Sequence, residues 1–186
     1  MELEMTTSSW VRMALFLLLT TFAFAVAAEV RLPGFFGDGM VLQRDMAVPI
    51  WGWGDPGEAV TIAFAGQKVT TTVDEFGCWT VRLKPMKASE TGRKLTVNGH
   101  VVNDVLVGEV WLCAGTGAMD YPVRKCVNSR DALKNADNAQ IRLVAIAKAQ
   151  SPLPEKDATG KWSAAKRDSV SNFSATGYFF ARSLQE

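Results

Sequence analysis

Residues 108–122, GEVWLCAGTGAMDYP, run from an apolar stretch into a loop with two glycines, and two of their side chains carry a thiol or an aliphatic hydroxyl, Cys113 and Thr116. Attack on an acyl carbon needs such a group together with a base that takes its proton. On a tight turn the Thr116 hydroxyl would point away from the direction of position 117, and Gly117 itself has no side chain to offer. Cys113 lies in the apolar stretch, where a buried packing thiol is expected. The sole histidine, His100, follows Asn98-Gly99 in a hairpin-like turn with no Asp or Glu beside it to form a relay, so exposed turn polarity is expected of it. One histidine excludes a histidine-rich metal site. Cys78, Cys113 and Cys126 are odd in number and widely spaced, which fits neither a disulfide framework nor a zinc pattern, although one pair has the option of forming in an exported protein. No GxSxG, HExxH or phosphate-binding glycine loop is present, and no cofactor is expected.

Trp51 and Trp53 stand two apart on a strand and therefore share a side. Two roles are open to them: a platform for stacking a sugar, or packing in a core or between domains. Asn172-Phe173-Ser174 is a glycosylation acceptor sequence, and Ser174 also opens a helix, where capping is the default role.

The elements that must position these residues change character along the chain. From Val48 to Val107 apolar residues alternate as in half-buried strands: Val60, Ile62, Phe64; Val69, Thr71, Val73; Trp79, Val81, Leu83; Leu95, Val97. Asp55-Pro56-Gly57, Ala65-Gly66-Gln67, Asp74 to Gly77 and Asn98-Gly99 supply the reversals between them. The pattern predicts an antiparallel β-sandwich over residues 29–107. Val105 to Cys113 then reads as a strand buried on both faces in a parallel sheet. A short helix over 131–136, a strand over 141–147 and a helix over 174–185 capped by Ser174 make 108–186 the truncated start of an α/β domain. At the N-terminus, Arg12 precedes an apolar run from Met13 to Val26 with small residues at Ala27 and Ala28. This predicts a signal peptide over 1–28, the alternative being an uncleaved anchor, and an exported protein (periplasmic, extracellular or lysosomal-type lumen) that leaves the membrane after cleavage. With 20 basic and 19 acidic residues, net charge +1, nothing calls for nucleic acid or an anionic surface.

The segment from Gly108 to Pro122 resembles the GEVWLCSGQSNMEWP segment of sialate O-acetylesterases. Residues 32–44, LPGFFGDGMVLQR, are similar to that family's LPALFSDHMVLQR; residues 48–57, VPIWGWGDPG, to its PVWGWADPGE; and residues 172–182, NFSATGYFFAR, to its FSAVGYFFAR. The resemblance implies a β-sandwich joined to an SGNH-type hydrolase domain that removes acetyl groups from sialic acid or related sugars. It implies a serine nucleophile, a distant histidine base and amide donors to the oxyanion. Gly115, Thr116, Gly117, Ala118 and Met119 fall on the family's GQSNM, and only Gly115 and Met119 agree with it. Gly117 replaces the nucleophile, Ala118 an amide side chain and Thr116 a glutamine. The family's catalytic Asp and His come from a C-terminal part beyond the position of Glu186. The expectation is therefore a truncated, inactive sialate O-acetylesterase-like chain whose partner is an acetylated sugar or glycan. The alternatives are a non-catalytic carbohydrate-binding or interaction module and an incomplete product without function.

Overall fold

The computed structural model describes residues 30–115 and 117–185. The predicted signal segment and Thr116 lie outside the described residues.

Seven strands form the first part: β1 (Val41–Gln43), β2 (Val48–Trp53), β3 (Ala59–Phe64), β4 (Gln67–Thr72), β5 (Cys78–Leu83), β6 (Ser89–Val97) and β7 (His100–Gly108). Five of them make one sheet in the order β1-β7-β6-β3-β4, and β2 pairs with β5 in a second. The larger sheet is mixed rather than purely antiparallel, because β1 runs parallel to β7 with Val41 opposite Leu106. Period-2 alternation works as expected: Val48 and Ile50 of β2 and Trp79, Val81 and Leu83 of β5 are buried with Val60, Ile62, Phe64, Leu95, Val97, Val102, Val105 and Val107 in one core. Two of the reversals are two-residue turns with φ positive at both positions, Ala65-Gly66 (50° and 78°) and Asn98-Gly99 (45° and 86°). That conformation matches the right-handed twist of the strands it joins.

The second part differs from expectation. The predicted strand 105–113 is buried only at Val105, Leu106 and Val107, and β7 stops at Gly108. Its partner β1 ends at Gln43, opposite Gly108, so the chain beyond has no strand to pair with among the described residues. Trp111 is 59% and Leu112 87% exposed, and Cys113 is exposed rather than packed. In place of a parallel sheet, β8 (Asn138–Ile146) pairs antiparallel with β9 (Gly160–Ala165). Three short helices, α1 (Ser129–Lys134), α2 (Arg167–Ser171) and α3 (Ala175–Ser183), pack with this hairpin around Val123, Ala132, Ile141, Leu143, Val170 and Tyr178. Ser174 caps α3 as its sequence position predicts, its Oγ accepting from the Gly177 N–H at 3.2 Å.

The hairpin is tied to the first part by polar contacts. Arg142 on β8, whose side chain is 8% exposed, donates from Nη1 to Asp104 Oδ2 at 2.6 Å and to the Gly39 carbonyl at 3.3 Å. The Trp162 indole N–H on β9 donates to the Phe35 carbonyl at 2.8 Å, and Asp157 Oδ1 accepts from the Gly34 N–H at 2.9 Å.

Candidate functional site

The loop 108–122 is fixed at its start by the end of β1. Arg44 donates its backbone N–H to the Gly108 carbonyl at 2.9 Å. The Gln43 side-chain amide then grips the next two residues, Oε1 accepting from the Val110 N–H at 2.8 Å and Nε2 donating to Glu109 Oε2 at 3.0 Å. Arg44 Nε lies 2.6 Å from Asp45 Oδ2 and 3.8 Å from Glu109 Oε1, and Lys87 Nζ lies 2.7 Å from Asp45 Oδ1. Hydrogen bonds from Lys87, then from Arg44, hold the Asp45 carboxyl below the usual carboxylate range, while Asp45 raises the Arg44 guanidinium. These groups face solvent, so they orient the loop more than they stabilise the fold.

At the other end, the residues around the start of α3 support the loop. The Ala175 N–H donates to the Tyr121 carbonyl at 2.8 Å and the Val123 N–H to the Phe173 carbonyl at 3.1 Å. Thr176 Oγ1 donates to the Ala118 carbonyl at 3.5 Å, and Ser174 Oγ lies 4.0 Å from Met119 Sδ. Trp111 meets Phe180 edge to face with ring centroids 5.3 Å apart.

Between these supports, Gly117 to Asp120 form a single exposed 3₁₀ turn. A Cβ built on Gly117 meets nothing within 4 Å, whereas one on Gly115 comes within 3.2 Å of Met119 Cγ. The turn thus has room for a side chain at the position where this sequence has none. Its other members supply no replacement: Ala118 has no polar side-chain atom, and Asp120 Oδ2 is paired with Lys148 Nζ at 2.6 Å. The Ser174 hydroxyl is engaged as the cap of α3, accepting from the Gly177 N–H. Cys113 is exposed but makes no hydrogen bond to a base among the described residues. His100 is exposed at the far end of β7 from Gly108, roughly 26 Å away along a strand of that length. Among the described residues no group of three or more His, Cys, Asp or Glu side chains is gathered as a metal requires.

Trp51 and Trp53 lie outside the buried core, half-buried on the face of β2 turned away from it. Gly52, between them, faces inward against the Trp79 ring and the Arg31 carbonyl. Trp51 contacts Trp53 edge to face at 5.3 Å and packs at 6.4 Å from Phe35 and 6.1 Å from Phe36. The Arg31 guanidinium sits 4.1 Å from the Trp53 ring centre.

The grip of Gln43 on Glu109 and Val110, the Arg44 contacts and the Thr176 support were not foreseen from the residues. The only sign of them was that Leu42-Gln43-Arg44 and Thr176 lie in segments carrying the resemblance.

No family model matches the chain. By sequence it is 30% identical over 180 residues to the sialate O-acetylesterase of Homo sapiens, covering 84% of this chain and 34% of that protein. It is 32% identical over 136 residues to the sialate O-acetylesterase of Mus musculus, covering 65% of this chain and 25% of that one. Among solved structures, a carbohydrate acetylesterase from Xanthomonas citri superposes with a TM-score of 0.79 at 36% identity, over 84% of this chain and 37% of that chain. The chain spans about a third of the length of the human relative. Agreement over most of its own length, in sequence and in fold, shows that it belongs to the sialate O-acetylesterase family.

Proposed function

We propose that this chain is a sialate O-acetylesterase-like protein that engages an acetylated sugar or glycan without hydrolysing its ester. The observation that carries the reading is Gly117: an exposed turn position, gripped from both sides, with open space where a nucleophile's side chain would stand and no side chain there. Acyl transfer needs an attacking atom and a base within hydrogen-bond reach of it. The one histidine of the sequence lies at the other end of β7. In its finer form the reading takes residues 29–107 as a β-sandwich and 108–186 as part of an SGNH-type α/β hydrolase domain. Residues 1–28 serve in it as a signal peptide, so the protein works outside the cytoplasm and away from the membrane. Two sheets sharing one core support the sandwich, and small residues after an apolar run support the signal.

A fluorophosphonate reagent, which reacts with activated serine nucleophiles, tests the reading. The purified chain should label no more than its heat-denatured form, beside a serine acetylesterase as positive control. Labelling that disappears on heating would mean that a folded nucleophilic centre exists and the reading is wrong.

A further inference from the structure

A second feature, remote in sequence from the Gly117 loop, has the makings of a ligand site. Trp51 and Trp53 stand opposite Thr80 and Cys78 across the β2–β5 pair, and with Thr72 and Asp74 these residues line a hollow of about 360 Å³ that opens to solvent. That size is at the lower end of small-molecule sites, which combine an apolar floor with a few placed polar groups. The polar groups here are unused. The indole N–H groups of Trp51 and Trp53 and the hydroxyls of Thr72 and Thr80 have no hydrogen-bond partner among the described residues. Asp74 uses Oδ1 for the N–H groups of Phe76 and Cys78, at 2.9 and 2.8 Å, and leaves its other oxygen without one. Half-buried indoles that keep their donors free are wet at one edge and apolar on the ring, the combination that suits amphipathic ligands.

We propose that this hollow is a binding site for a neutral pyranose ring, independent of the Gly117 loop. A pyranose has an apolar C–H face that lies on an aromatic ring and a rim of hydroxyls that both donate and accept. The indole edges and the threonine hydroxyls meet the acceptors of such a rim, and Asp74 Oδ2 meets a donor. The same carboxylate disfavours an anionic sugar. Arg31, the cation stacked on Trp53, is also engaged 3.5 Å from Asp157. A proline-rich peptide would use the rings but leave the threonines and the carboxylate idle.

Saturation-transfer NMR on the full chain tests the site. The probes are the methyl glycosides of glucose, galactose, mannose and N-acetylglucosamine, with mannitol as an acyclic polyol, the methyl glycoside of N-acetylneuraminic acid as an anionic sugar, and a proline-rich peptide. At least one neutral glycoside at millimolar concentration should receive saturation on its ring C–H protons, and mannitol should receive none. Trp53→Ala should weaken that binding about tenfold, the loss of one aromatic contact, while Trp53→Phe keeps most of it. Thr80→Val, a change on an exposed strand position, removes a hydroxyl without touching the floor and should weaken binding severalfold at an unchanged melting temperature. No transfer to any of the four neutral glycosides, transfer unaltered in Thr80→Val and Trp53→Ala alike, or stronger binding of the sialoside or the peptide would each overturn the proposal. None of these outcomes bears on ester hydrolysis, which is measured separately.

Discussion

The Gln43 side chain and the Val110 backbone are joined at 2.8 Å across 67 residues of sequence, and the same amide reaches the Glu109 carboxylate at 3.0 Å. The end of β1 therefore decides where the loop bearing Gly117 leaves the sheet. Gln43→Ala should release this start, costing about 1 kcal/mol for the lost hydrogen bonds and lowering the melting temperature by about 2–4 °C. Amide exchange at Val110 should speed up, while exchange at Val105 and Val107 inside β7 stays as it was. Equal acceleration at all three would mean that Gln43 supports the sheet and not the loop.

Beside that grip, Asp45 is paired with both Lys87 and Arg44. Its folded pKa is lowered, so below the ordinary carboxylate range the unfolded chain binds the extra proton first. Stability is then fully present above the unfolded value and is lost as pH falls through the folded one. Denaturant unfolding of the native chain and of Asp45→Asn across the acid range should show a shallower pH slope for the variant in that window and equal slopes near neutrality. Added salt should shrink the difference, since the groups face solvent. Identical slopes at low salt would show that the pairs do not form in solution.

Gly52 permits the Trp-Gly-Trp arrangement of β2. A Cβ there would run into the Arg31 carbonyl oxygen and come within 2.8 Å of the Trp79 ring, which is 3% exposed and has little room to yield. Gly52→Ala should cost about 1–3 kcal/mol through overpacking, read as a lower denaturation midpoint. A shift in tryptophan fluorescence should accompany it. A neutral effect would mean that the segment at Arg31 moves freely away from β2.

Local physics made the strands and turns of the first part legible. Ile50, Val81 and Leu95 fall on the buried face because their alternation is encoded within each strand, and Asn98-Gly99 carries its own turn conformation. The alternation also put Trp51 and Trp53 on one side. Which side faced the core depended on Ile50 and Gly52, whose burial only packing reveals. The run Val110 to Cys113 looked buried because its composition is apolar, yet burial needs a neighbour, and β1 ends opposite Gly108. β9 was missed because its pairing is the reason for its conformation: residues 160–165 alternate weakly and become a strand against β8. The loop motif itself was legible as residues. Its supports at Gln43, Arg44 and Thr176 were not, since each depends on contacts between distant parts of the chain.

Release of acetate bears most directly on the central claim. Purified native chain would be incubated with an O-acetylated sialic acid and with a chromogenic acetyl ester, and free acetate followed against a buffer blank and against a family acetylesterase. Losing a nucleophile typically costs about a millionfold in turnover, so the native curve should coincide with the blank. Gly117→Ser, for which the turn has room, should coincide with it too, because no base stands beside that position among the described residues. Acetate released by the native chain above the blank, and abolished by Cys113→Ala or Thr116→Ala, would contradict the account by showing that another side chain of the loop attacks the ester.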